Sequence, residues 1–275
     1  MSVHLELARQ LAGRFAALPH TVAAALAGSR GAAGAADPAS DIDLYVYTRG
    51  EIPPAERRAI VEAAGGASRA SLDLRYWGPG DEWLHAPTGI EIDLVYFEAE
   101  WMAAQLTRVI DEHQASLGYT TCFWHTVRQS VPLADPAGWF ADLQRRAAAE
   151  YPEPLRRNIV ALNHPVLRAI IPSYAGQLEK AVQRRDLVSV NHRLAALLAS
   201  YFDILFAVNR QLHPGEKRLA AQVLERCPRR PARFEADLEA VLRLTERDLP
   251  ELPGRLAGLL DRLDDLLRAE GLLPL

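Results

Sequence analysis

Apolar positions alternate between two periods along this chain, and the period changes once. In the first half, short runs of strand character are separated by turns and by helical stretches. In the second half only the helical period persists. Leu5, Ala8, Leu11, Ala12 and Phe15 recur at helical spacing and predict a helix over 5–18. Apolar runs over 22–27 and 41–47, alternation over 71–77, and a run over 90–97 predict four strands. Pro53-Pro54 opens a helix that Gly65-Gly66 stops, and Gly78-Pro79-Gly80 marks a turn. A short helical turn is expected over 30–36. A helix over 99–114 would turn Trp101, Leu106 and Ile110 inward. An extended piece over 131–136 precedes a helix through Trp139 and Leu143. Beyond Pro152 the chain predicts helices over 155–171, 174–184, 187–212, 219–226, 233–246 and 252–270. The expected architecture is an α/β domain over 1–150, with a sheet flanked by helices, followed by an all-α domain over 151–275. The boundary is set at Tyr151-Pro152-Glu153-Pro154.

Composition narrows the functional classes. The 275 residues suffice for one large domain or two ordinary ones, and a hydrophobic content of 49% suits a packed interior. A net charge of −4 offers no general attraction for a polyanion, so nucleic acid is not the expected partner. Cys122 and Cys227 form no CxxC pair, which speaks against a disulfide framework or zinc cluster. The N-terminus reads as an amphipathic helix and not as a signal peptide, and no uncharged apolar run approaches 18 residues. A cytoplasmic protein without membrane spans is expected.

The candidate chemistry sits where the first predicted strand meets the second. Val22 to Ala27 leads into Gly28-Ser29, and eleven residues later comes Asp41-Ile42-Asp43. Residues two apart on a strand share a face, so Asp41 and Asp43 would project side by side. Two carboxylates at such range repel by about 4 kcal/mol at an effective dielectric near 20, and a cation relieves this. All-oxygen ligands favour Mg²⁺ or Mn²⁺. A Gly-Ser corner before a helix presents backbone N–H groups and a hydroxyl to an anion. A phosphate cradle beside a two-carboxylate metal site suits phosphoryl or nucleotidyl transfer. A third acid is offered by Asp93 in Gly89-Ile90-Glu91-Ile92-Asp93-Leu94, with Glu91 on the same face. An acidic edge facing water is the plain alternative. Asp73 is the rival for the third-acid role, although Arg75 two residues on suggests a salt bridge. His213-Pro214-Gly215-Glu216-Lys217 marks a helix stop, with Lys217 near the next helix start. His192, Arg193 and Asp203 are weaker candidates for lining a cleft. Trp77, Trp83, Trp124 and Trp139 are taken as core.

Gly28-Ser29, the strand before it, Ser40-Asp41-Ile42-Asp43-Leu44 and the later strand aspartate together resemble the nucleotidyltransferase superfamily typified by DNA polymerase beta. The resemblance covers roughly the first hundred residues and extends to small bacterial two-domain members, including antibiotic nucleotidyltransferases. It implies a short mixed sheet and transfer of a nucleoside monophosphate, most simply AMP from ATP, to a hydroxyl with loss of pyrophosphate. By that resemblance Gly28 and Ser29 would hold the phosphates, and Asp41, Asp43 and Asp93 would hold Mg²⁺. Asp93 would also act on the acceptor. Lys217, outside that match, is expected to reach the leaving group from the start of its helix. A protein or RNA acceptor, or a nucleotide sensor without turnover, remains open at this level.

Overall fold

The computed structural model describes residues 2–27, 41–76, 78–243 and 248–274. Gly28, Ser29, Ser40, the expected turn over 30–36 and Trp77 lie outside the described residues. Two compact units emerge: residues 1–107 with 126–149, and residues 108–125 with 150–275. The sequence suggested a single cut near Tyr151. The chain instead passes between the units three times, because Arg108–His125 belongs with the helical unit.

The first unit opens with α1 (Val3–Ala16). Ser2 caps it by accepting from the Leu5 N–H at 3.3 Å, and Leu7, Ala8, Leu11, Ala12 and Phe15 form its buried stripe. Six strands follow among the described residues: β1 (Thr21–Leu26), β2 (Ile42–Thr48), β3 (Ala67–Leu74), β4 (Gly80–His85), β5 (Glu91–Glu98) and β6 (Val131–Ala134). Their order in the sheet is β3-β4-β5-β2-β1-β6. Only β2 and β5 are parallel neighbours; the other pairs are antiparallel, so the sheet is mixed as expected. The helix α2 (Pro54–Ala63) starts on Pro54 and buries Arg57, Ile60 and Val61. Ile42, Leu44 and Val46 of β2, Ile92 and Leu94 of β5, and Trp83 of β4 join the α1 stripe in one core. The alternate positions of β2 and β5 point to the other face. There Tyr47 packs on Phe140, with ring centres 4.9 Å apart, from α5 (Trp139–Ala147).

Several local expectations are corrected. The alternation placed at 71–77 is a strand over Ala67–Leu74, and β4 went unread because the Gly78-Pro79-Gly80 turn signal runs into its first residue. The helix expected over 99–114 is α3 (Ala99–Leu106) followed by a π-helical turn over Thr107–Asp111. Trp101 is 39% exposed and stacks on Phe97, because Met102, Leu106 and Val109 occupy the inward stripe. The helix α4 (Cys122–Gln129) was also unread.

The second unit is helical in its described residues after Pro152: α6 (Glu153–His164), α7 (Tyr174–Gln183), α8 (Leu187–Val208), α9 (Leu219–Arg226), α10 (Phe234–Leu242) and α11 (Leu252–Ala269). The long α8 supplies the middle of its core, where Leu197, Tyr201, Ile204 and Leu205 are fully buried. Both cysteines are free thiols. No described helix is long and apolar enough to cross a membrane.

Candidate active site

The parallel pairing of β2 with β5 sets the geometry. Its register places Asp43 opposite Asp93, with Ile42 opposite Ile92 and Leu44 opposite Leu94. The flanking apolar residues are fully buried on one face, so the two aspartates occupy the other face by strand periodicity. Neighbouring strands lie about 4.8 Å apart, which makes these acids lateral neighbours. Each is half-buried. The antiparallel neighbour β4 extends the row, since Glu82 stands opposite Asp93. Three strands therefore bring Glu82, Asp93 and Asp43 into one line. Glu82 was not singled out in the sequence, although the alternation Glu82-Trp83-Leu84 was available as a signal.

Asp41 falls one residue before β2 and is half-buried, while Glu91, two residues before Asp93, is exposed. The end of the first strand also reaches this point, for the Ala27 N–H donates to the Asp43 carbonyl at 2.9 Å. Gly28 and Ser29, which follow Ala27 in sequence, lie outside the described residues. Asp73 is not part of the row. It accepts from Arg57 Nη2 at 2.9 Å and pairs with Arg75 at 3.0 Å, as the sequence suggested for Arg75. Those cations hold its carboxyl below the usual range, the Arg57 hydrogen bond foremost.

Among the described residues no three His, Cys, Asp or Glu side chains are grouped as a metal site. The neighbouring pair Asp43 and Asp93 fits Mg²⁺ by donor type. That ion is usually bound through one or two carboxylates, with water and substrate phosphates completing its shell.

Lys217 belongs to the second unit. It is exposed in the turn over 216–218 that leads into α9. Arg218 enters that helix with a left-handed backbone, φ 58°. His192 and Arg193 are exposed on α8, whereas Asp203 is 1% exposed. Asp203 accepts from the Thr120 N–H at 3.1 Å and the Thr120 hydroxyl at 2.6 Å. Burial pushes its carboxyl up to about 7, against those hydrogen bonds and Arg108. Nearby in the same unit, His213 is fully buried. Its N–H donates to Thr121 Oγ1 at 2.8 Å, and burial holds its imidazole down to about 4. The weak reading of Asp203 as a cleft residue therefore gives way to that of a buried anchor. Trp83 and Trp124 are core, and Trp139 lies 5.3 Å from Tyr47.

Over residues 122–219 the chain matches a family described as a domain of unknown function, DUF4037. That span includes Asp203, His213 and Lys217 and none of the three strand acids. No curated protein matches the sequence. Among solved structures, the chain is similar to a nucleotidyltransferase-like protein from Exiguobacterium sibiricum 255-15. Identity is 14%, the TM-score is 0.45, and the match covers 96% of this chain and 74% of that one. It is also similar to an aminoglycoside 6-adenyltransferase from Bacillus subtilis. There identity is 8%, the TM-score is 0.37, and coverage is 100% and 94%.

Proposed function

We propose that the chain is a Mg²⁺-dependent nucleotidyltransferase that moves a nucleoside monophosphate, AMP from ATP, onto a hydroxyl of a small molecule. The observation that carries this reading is the register pairing Asp43 with Asp93 on adjacent parallel strands. It joins the two halves of a sequence pattern, Asp41-Ile42-Asp43 and Ile92-Asp93-Leu94, that are fifty residues apart. Asp41, Asp43 and Asp93 would hold the ion, with Mn²⁺ as a substitute. When bound, it neutralises triphosphate charge and polarises the α-phosphorus.

The chain's own groups have distinct duties in this reading. Gly28 and Ser29 donate to the β- and γ-phosphates, where a missing side chain allows close approach. Asp93 accepts the proton of the acceptor hydroxyl. The acceptor oxygen forms a bond to the α-phosphorus, the bond to the β-bridging oxygen breaks, and pyrophosphate departs with the electron pair. The net charge of −4 favours a small-molecule acceptor over nucleic acid, because a polyanion gains nothing from this surface as a whole.

The test is pyrophosphate release by the full chain with each nucleoside triphosphate, Mg²⁺ and a panel of hydroxyl compounds. Release with a small acceptor, lost in Asp43→Asn, is the expected result. Label transferred to protein would move the acceptor to a side chain. Nucleotide binding without release across the whole panel would make the chain a sensor.

A further inference from the structure

The same sheet carries a second chemical environment at its other end. Five residues along β2 separate Asp43 from Thr48, about 17 Å at the rise of a strand. Around Thr48 lies a cavity of about 270 Å³, with Ile52 and Tyr96 in its apolar lining and Glu51, Arg57, Arg75 and Glu98 in its charged lining. All of these residues belong to the first unit.

The cavity wall is built around a guanidinium that folding has already immobilised. Arg57 is 3% exposed. Its Nη1 donates to Asp81 at 3.2 Å and its Nη2 to Asp73 at 2.9 Å. Asp81 is 1% exposed and also accepts from the Tyr96 hydroxyl at 2.6 Å and the Asp73 N–H at 2.7 Å. The guanidinium carbon lies 5.0 Å from the Tyr96 ring centre. This arrangement satisfies two edges of Arg57 and leaves the buried Nε without an acceptor. At the rim, Arg75 contacts Glu51 and Asp73 through Nη2. Glu98 is exposed and has no ion pair among the described residues.

Charge and donor inventory then select the ligand. A simple anion would meet the two carboxylates of the lining, Glu51 and Glu98, as well as its two guanidiniums, Arg57 and Arg75. A simple cation would meet the same two guanidiniums. A molecule carrying both charges answers both sets, and its body meets Ile52 and Tyr96. We propose that this cavity binds a small zwitterion of the free α-amino-acid class. The carboxylate lies toward Arg57 and Arg75, the ammonium toward Glu98 and Glu51, and the side chain lies on the apolar lining.

Isothermal titration of the full chain with each free L-amino acid at millimolar concentration tests this. At least one should bind. Its N-acetyl and carboxamide derivatives should each bind about tenfold or more weakly, as expected for losing one charge-assisted contact. Arg57→Ala would strand Asp81 in the interior and threatens the fold, so the rim variants Glu98→Gln and Arg75→Gln carry the test. Both should weaken binding about tenfold while the unfolding midpoint stays at the wild-type value. The proposal is overturned if no free amino acid binds. It is also overturned if an amine lacking the carboxylate binds as well as the amino acid, or if Glu98→Gln leaves the affinity unchanged. Because the strand acids take no part, Asp43→Asn should retain amino-acid binding whatever becomes of nucleotidyl transfer.

Discussion

Two buried titratable residues of the second unit act on stability in opposite directions. Asp203 is held protonated up to about pH 7 by burial. Between the ordinary carboxylate range and that value, the folded protein keeps a proton that the unfolded chain has released. Its contribution to stability is therefore complete at low pH and is lost as pH rises through about 7. His213 is held neutral down to about 4. Below its ordinary value the unfolded chain gains a proton that the folded protein refuses, so stability falls as pH drops through that window. The two effects oppose each other over most of the mildly acidic range. Asp203→Asn should expose the His213 effect alone, so that urea stability rises between about pH 5 and about pH 7 where the wild type stays level or declines. A variant with the wild-type profile would show that Asp203 does not titrate in this range. Neither behaviour was legible in the sequence, because Asp203 lies on an apolar helix whose Thr120 partner is remote in the chain. Asp43 and Asp93 differ in this respect. Their setting in Ile-Asp-Leu patterns on two strand-like runs was visible from the residues alone.

The stretch over 112–121 shows how a segment can be held without regular structure. The Gly118 N–H donates to Asn163 Oδ1 at 2.9 Å, and Asn163 Nδ2 donates to the Ser116 carbonyl at 2.8 Å. Arg108 Nη1 reaches Ser116 Oγ at 2.9 Å, and Asp203 takes both donors of Thr120. Gly118 has φ 77°, and a Cβ there would stand 3.0 Å from the Ala199 Cβ and 3.2 Å from its backbone carbon. Gly118→Ala should therefore destabilise the protein by about 1–3 kcal/mol through strain and overpacking together, read as a lower denaturant midpoint. An unchanged midpoint would mean that the segment stands farther from α8. Elements with a clean period were readable: α1, β2, β5 and the helices after Pro152 lie within a few residues of expectation. Those whose polar groups are satisfied from elsewhere were not. Asp81 in β4 resembles a surface turn residue until Arg57 and the Tyr96 hydroxyl are brought to it. The helix α4 is only eight residues long, so its buried pair Trp124 and Val127 offers too short a period to read.

At the scale of the whole molecule, the chain passes between its units at 107–108, 125–126 and 149–150. A linear reading finds the last of these, where proline and a change of period coincide. The first two carry no compositional mark. A fragment ending at Ala149 would retain 108–125 without Asn163 and Asp203, leaving its backbone donors at Gly118 and Thr120 without acceptors. Such a fragment should bind a hydrophobic dye and unfold less cooperatively than the full chain. Cooperative unfolding with no dye binding would show that the contiguous first half folds alone. The central claim concerns the acid pair on β2 and β5, and its most direct test needs no knowledge of the acceptor. Electron paramagnetic resonance of Mn²⁺, titrated into the full chain with a non-hydrolysable ATP analogue, reports ion held by protein and nucleotide together. The account predicts a protein-bound signal in the wild type. Asp43→Asn and Asp93→Asn should each abolish it while the unfolding midpoint remains unchanged. Wild-type affinity for the Mn²⁺-nucleotide in either variant would contradict the account.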